Sequence, residues 1–297
     1  MRHYLGACAL AAAFLFAAPA AAQNPSSNSD DEIVVQGERE RDRRIQEFIG
    51  ALTDVPVNGQ ITRMEWAACP AAVGLSPAQN QAIAARMREV AAAAGMEVGA
   101  ADCRPNALVI VTRDKQDLIE QLARRYPAYF SEMWPRQVRR LARAGGPASA
   151  WHVKGMIGPD GDEVAVDPTT GVATIDSSAS PSRIRQATRP HSAAAILVVE
   201  VGALGGLTTT QLADYAAMRT FAETDPAQVA GMSVPTILTV LDAPMGSEVP
   251  VTLTNWDLGF LRALYASPLN HLATAQRNEM RNHLRADLER AQEPLPE

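Results

Sequence analysis

The sequence predicts an α/β or α+β protein: a mixed sheet with packed helices, and a C-terminal half that is mainly helical. Three observations carry this. The runs 107–112 (Ala-Leu-Val-Ile-Val-Thr) and 193–201 (Ala-Ala-Ala-Ile-Leu-Val-Val-Glu-Val) are nearly all apolar, as strands buried on both faces are. Apolar residues recur at helical spacing around them. The order strand, helix, strand, helix, helix, strand up to residue 157 is that of helices layered on a sheet.

The N-terminus has a different purpose. Met1-Arg2-His3 is basic, Tyr4 to Ala18 is apolar, and Ala20-Ala21-Ala22 places small residues before Gln23. This is the layout of a signal peptide on residues 1–22, cleaved near Ala22–Gln23. It predicts a secreted protein, with the periplasm as its address. A lipoprotein reading on Leu5-Gly6-Ala7-Cys8 fails because the apolar segment follows Cys8. No later apolar run is long enough to span a membrane, so the mature chain is expected to be soluble, without an integral span. Residues 23–40 are expected to be disordered, since 23–32 are polar and acidic. Within them, Glu32-Ile33-Val34-Val35-Gln36-Gly37-Glu38 resembles the TonB-box segment of TonB-dependent outer-membrane receptors. The resemblance implies an extended peptide that adds a strand to an envelope partner through residues 32–38. A plain extended tether is the alternative.

Residues 41–157 are read as one α/β layer. Ile45, Phe48, Ile49 and Leu52 predict a short amphipathic helix over Arg41–Leu52. Gly59–Trp66 reads as a strand leading into Cys69-Pro70. Ser76-Pro77-Ala78-Gln79 is a capped helix start, and that helix runs to about Ala94 before Gly95. Asp114 caps a helix ending near Tyr126-Pro127; another begins around Pro135 and stops at Gly145-Gly146. Ala148–Ile157 reads as a strand, turning at Pro159-Asp160-Gly161.

Residues 158–192 form a loop-rich connection, with a hairpin through Val164–Ile175. Residues 193–291 hold the strongest strand, Ala193–Val201, followed by helices. Thr208 or Thr209 starts a helix to about Ala222. Pro235–Leu241 is a strand or a buried turn. Thr254-Asn255-Trp256-Asp257 opens a helix to Tyr265, and the last spans roughly 270–291.

The formal charge is −6, and loss of Arg2 with the leader brings the mature chain near −7. An acidic balance argues against nucleic acid as a partner. Lys115 and Lys154 are the only lysines; the excess of arginine reads as codon composition or as anion recognition. Cys69 and Cys103 remain after cleavage. In an oxidising compartment they are expected to form one disulfide, worth roughly 3–4 kcal/mol, pinning the end of the first strand to the start of the second.

No complete catalytic or metal motif is present, and no cofactor is expected. Gly202, Gly205 and Gly206 lie between a strand and a helix but lack the Lys and Ser/Thr of a phosphate loop. Ser233 sits in no nucleophile elbow. His152, His191, His271 and His283 are isolated, and Asp160 and Asp162 fall in a turn.

The order of residues 193–265 resembles the C-terminal half of zincin-like peptidase domains. The quoted elements are the strand, the helix Thr209–Arg219, Pro235-Thr236-Ile237-Leu238, and Leu253-Thr254-Asn255-Trp256-Asp257 running to Leu264-Tyr265. The resemblance implies a helix that carries two zinc-binding histidines and a glutamate base. Here Gln211 and Tyr215 stand in the histidine positions and Leu212 in that of the glutamate. Neither a zinc site nor water activation follows from these residues. What the resemblance leaves is a fold whose helix turns Gln211, Asp214 and Tyr215 toward a cleft; the alternative makes them ordinary packing residues.

The expectation is therefore a secreted, non-catalytic binding or envelope-associated protein. A hydrolase of zincin-like ancestry with unrecognised catalytic residues, or a TonB-coupled envelope partner, are the alternatives.

Overall fold

In a computed structural model of the chain, the described residues are 29–292 apart from 54, 57, 58, 131, 132, 168, 171, 172, 175–185 and 245. The predicted leader, with residues 23–28, lies outside them. Contacts divide the chain into Met1–Glu40 and Arg41–Glu297. Helix α1 covers Ser29–Leu52.

The start of α1 corrects two expectations. Residues 32–38 are helical where an extended segment was expected, and residues 29–40 are helical where disorder was expected. Ile33, Val34 and Val35 favour strands, but each costs a helix only a few tenths of a kcal/mol. The Glu- and Arg-rich stretch that follows, 38–47, carries helical i,i+4 charge pairs such as Arg43–Glu47 at 2.8 Å.

From Arg41 on, the chain builds the predicted α/β fold. After α1 come β1 (Pro70–Val73), α2 (Pro77–Ala93), β2 (Ala107–Thr112), α3 (Lys115–Arg125), a 3₁₀ turn at Pro127–Phe130 and α4 (Pro135–Ala142). Next are β3 (Ala148–Ile157), β4 (Ala165–Val166), β5 (Ala173–Thr174) and β6 (Arg189–Glu200). The remainder is helical: α5 (Thr209–Phe221), α6 (Pro226–Val229), α7 (Asn255–Ala266) and α8 (Ala273–Arg290). The main sheet has the order β1-β2-β6-β3. Strands β1, β2 and β6 are parallel, while β3 runs antiparallel to β6 along one edge. The expected hairpin exists as the pair β4–β5. Pro235–Leu241 is a buried turn built on a short 3₁₀ stretch, not a strand.

Alternation along the central strands divides the core in two. Ala107, Val109, Val111, Ala195, Leu197 and Val199 face the larger core, shared with the C-terminal turns of α1 and with α2, α5, α7 and α8. Ile196, Val198 and Trp151 face a smaller core closed by Ile119 of α3, Phe130 and Ala142 of α4.

The helix starts follow their sequence signals. Ser76, Thr208 and Thr254 form reciprocal capping boxes with Gln79, Gln211 and Asp257, and Asp114 accepts the Asp117 N–H. Gly74 ends β1 at φ +99°, and a Cβ there would lie 2.0 Å from the Val111 carbonyl oxygen. No larger residue fits that turn.

The first strand is displaced from its expected place. In 59–66 only Arg63 makes bridges, one to His191 and one to Ala222; β1 begins after Cys69. Its buried apolar residues, Ile61 and Met64, lie three apart and do not follow the alternation of a strand. Its fixed points are instead contacts with the C-terminal helices. The Ile61 N–H donates to Gln276 at 2.8 Å, and Arg63 donates to the Leu264, Tyr265 and Ser267 carbonyls that end α7. The Cys69–Cys103 disulfide is present, spanning 34 residues with Cα atoms 6.0 Å apart. It joins the starts of two parallel strands, not an end to a start. Asn106 reinforces the same junction by accepting the Cys69 N–H and donating to the Ala67 carbonyl. Among the described residues no helix is long and apolar enough to cross a membrane.

Candidate functional site

Helix α5 is the element on which the expected site residues lie, and every residue from Gln211 to Phe221 is buried. Its alanines let it pack closely in the larger core. Each polar side chain in that setting therefore needs a partner.

Gln211 and Asp214 find theirs within the fold. The Gln211 side chain accepts the Thr208 N–H at 3.0 Å and donates to the Pro250 carbonyl at 2.8 Å. Asp214 receives the Arg86 Nε at 2.8 Å, the Thr252 hydroxyl at 2.6 Å and the Leu253 N–H at 2.8 Å. These contacts tie α5 to α2 and to the segment that leads into α7. Leu212 is core. Gln211 and Asp214 are thus structural, and the expected cleft does not join them to Tyr215.

Tyr215 lines a cavity of about 520 Å³ together with Arg219, one turn further along α5. The opposite wall is the Gly145–Ala150 segment, where β3 begins; Asp225 and Asp242 complete the lining. That wall is fixed from behind. Lys115, itself buried, donates from Nζ to the Ala144 and Gly146 carbonyls at 2.7 and 2.9 Å, and the Glu200 N–H donates to the Pro147 carbonyl at 2.8 Å. Gly146 takes φ +78° there, with Asp242 Oδ1 3.4 Å from where a Cβ would stand. Because Ala148 pairs with Val199 near the end of β6, the cavity lies at the carboxyl end of the parallel strands. Open α/β sheets take ligands at that end.

Arg219 is only 8% exposed. Its guanidinium carbon lies 5.9 Å from the Tyr215 ring centroid. Its Nε has no hydrogen-bond partner among the described residues, and the guanidinium makes no ion pair there. The two carboxylates are elsewhere in the same chamber, Asp225 accepting the Ala227 N–H at 3.1 Å as the cap of α6. Burial pushes the Tyr215 hydroxyl above its usual pKa, with Arg219 opposing and Asp242 adding to the shift. The hydroxyl stays protonated at neutral pH and can donate a hydrogen bond. One cation, two carboxylates and a phenol therefore face a single chamber.

The histidines do not join it. His152 lies 2.9 Å from the Ser192 hydroxyl through Nδ1 and 3.2 Å from the Arg219 carbonyl through Nε2. A carbonyl only accepts, which assigns the proton to Nε2 and makes Nδ1 the acceptor for Ser192. Both side chains are buried, and they tie β3 to the end of α5. His191 is fully buried, and neither ring nitrogen has a hydrogen-bond partner among the described residues. Its Nε2 is 3.9 Å from Glu163, its ring packs edge-on to Trp66 at 4.6 Å, and Gly155 gives it room. Burial lowers the pKa of both histidines. His271 is half-buried and His283 exposed. Gly202, Gly205 and Gly206 lie in and just after a 3₁₀ turn, Val201–Leu204. Among the described residues no three His, Cys, Asp or Glu side chains are grouped to hold a metal ion.

Arg219 and Asp242 escaped the reading of the sequence. The one available signal was an arginine one turn after Tyr215 in an otherwise small and apolar stretch. No known protein family, no curated protein and no solved structure matches this chain.

Proposed function

We propose that this is a non-catalytic binding protein of the cell envelope, whose ligand enters the cavity between β3 and α5 and places a carboxylate on Arg219. The observation that carries the reading is the buried guanidinium with an unpartnered Nε on the wall of a 520 Å³ chamber. A buried guanidinium whose Nε has no hydrogen-bond partner among the described residues is costly even with Asp225 and Asp242 in the same chamber, and a ligand anion offsets that cost with a charge-assisted hydrogen bond. Asp225 and Asp242 in the same lining suit a ligand that also carries a positive group, as a free amino acid or a peptide end does. The signal-peptide layout of residues 1–22 and the Cys69–Cys103 disulfide support an address outside the reducing cytoplasm.

The resemblance to zincin-like domains fits the same reading. With Gln211 and Leu212 committed to the cap and the core, and Tyr215 beside Arg219, the helix keeps a cavity on one edge and lacks histidine at both ligand positions.

Titration calorimetry with glycylglycine, and with acetate and methylamine as single-charge controls, tests the proposal. Saturable binding of the dipeptide and a loss of at least about tenfold in Arg219→Met are expected. Equal affinity in Arg219→Met, or no saturable binding of the dipeptide, would overturn it.

A further inference from the structure

The layer formed by α3, the 3₁₀ turn and α4 carries a surface that the binding cavity does not use. Residues 124–143 contain Arg124, Arg125, Arg136, Arg139, Arg140 and Arg143 against the single acid Glu132. This is a local charge near +5 in a chain whose total is −6. All six arginines are exposed, and none makes an ion pair among the described residues. On α4, Arg136, Arg140 and Arg143 follow one another at helical spacing, so the guanidinium groups share the face opposite Val138, Leu141 and Ala142, which pack inward.

Aromatic residues interrupt this basic surface. Trp134, the N-cap of α4, is 69% exposed, and Tyr126, the C-cap of α3, is 50% exposed. Beside Tyr126 lies a second cavity, of about 260 Å³, lined by apolar and aromatic side chains that include Leu122, Tyr129, Phe130, Trp151 and Ile196. The only polar handle on Trp151 is already committed, its indole N–H donating to the Tyr129 carbonyl at 3.0 Å.

We infer that this face docks on an anionic phospholipid surface. Three features must be matched together: a phosphate-rich plane for the arginines, an interfacial zone for exposed Trp and Tyr, and aliphatic material for an apolar chamber. An anionic bilayer supplies all three. A nucleic acid supplies phosphates but no aliphatic chain. The small core beneath the cluster lies on the opposite face of the sheet from the core around α5.

The test is co-sedimentation of the full chain, as the cell processes it, with vesicles of phosphatidylcholine alone or containing phosphatidylglycerol. Binding is expected only to the anionic vesicles, and is expected to weaken as salt is raised. The pair Arg136→Gln and Arg140→Gln is expected to lower partitioning roughly twenty-five-fold, about fivefold per arginine. Trp134→Phe is expected to abolish a blue shift in tryptophan emission on vesicle addition, a readout independent of any change in affinity. Each arm compares the same chain with and without the substitution, so an apolar N-terminal segment cannot produce the difference. Equal binding to neutral vesicles, partitioning unchanged in the arginine pair, an emission shift that persists in Trp134→Phe, or preference for duplex DNA over anionic vesicles would each overturn the inference.

Discussion

The face of the sheet under the C-terminal turns of α1 and under α2, α5, α7 and α8 and the face under α3 and α4 draw on the same central strands, yet they are finished differently. On the first, β2 and β6 contribute Val109, Val111, Leu197 and Val199 to a core in which aromatics interlock, Phe48 lying edge-on to Trp256 and Phe260 at 5.6 and 6.1 Å. Its polar groups are held individually, as Asp214 is by Arg86, Thr252 and Leu253. On the second, the core is small and a chamber remains beside Phe130; Trp134, Tyr126 and six arginines stay outside. The comparison teaches where each kind of evidence is to be sought. A thick layer fixes the fold and encloses a site at its rim, while a thin layer has side chains left over for a surface.

Removing a large side chain from each face should break the symmetry most visibly. Phe48→Ala is expected to cost about 4 kcal/mol, because a fully buried ring leaves a hole among aromatics that cannot close. Phe130→Ala is expected to cost about 2 kcal/mol. That ring stacks on Trp151 at 4.9 Å but already borders a cavity, and a thin layer relaxes more readily. Urea unfolding of both variants checks the pair, and equal losses would show that the two layers are equally rigid.

A polar change sharpens the same contrast. Asp214→Ala is expected to cost about 3 kcal/mol, since it removes at once the buried acceptor of the Arg86 Nε–H, the Thr252 hydroxyl and the Leu253 N–H, although Arg86 keeps Glu89. Arg140→Gln on the thin face is expected to change stability by less than about 0.5 kcal/mol, because its side chain is exposed and makes no ion pair among the described residues. Thermal melts of the two variants test this. A large loss in Arg140→Gln would mean that the basic surface stabilises the layer it covers.

The legible parts of the fold were those whose signal is local. Strands 107–112 and 148–157 match their apolar patterns, and the helices after Ser76, Thr208 and Thr254 start at their caps. Two signals misled. Ile33-Val34-Val35 has strand character but lies inside a helix, and 59–66, read as a strand, is instead fixed by Gln276 and by the end of α7. The cavity was harder to read, because Gly146, Tyr215, Arg219 and Asp242 meet only after β6 brings α5 beside the start of β3. The basic surface was hidden by averaging, since a net charge of −6 says nothing of twenty residues that carry +5.

The smallest expected effect concerns acid. His152 and His191 are buried and neutral, and desolvation holds both below the ordinary histidine pKa of about 6.5. The charged groups around His152 are Glu223, Lys154 and Arg219; around His191 they are Glu163, Glu65 and Arg189. The carboxylates oppose the desolvation in each case and do not cancel it. As pH falls through about 6.5 the unfolded chain takes up protons that the folded chain refuses, so stability falls with pH. Asp257 works in the opposite sense. Burial raises its pKa despite hydrogen bonds from Thr236, Ile237 and Thr254, so the folded chain binds this proton more readily than the unfolded chain and the group offsets part of that loss as pH falls. Melting temperatures taken between pH 7.5 and pH 5.5 should therefore drop for the wild type and drop less for His152→Gln with His191→Gln. Parallel curves for wild type and the double variant would show that neither histidine is kept neutral by burial. Glu163 would then be close enough, at 3.9 Å, to hold His191 in its charged form inside the fold.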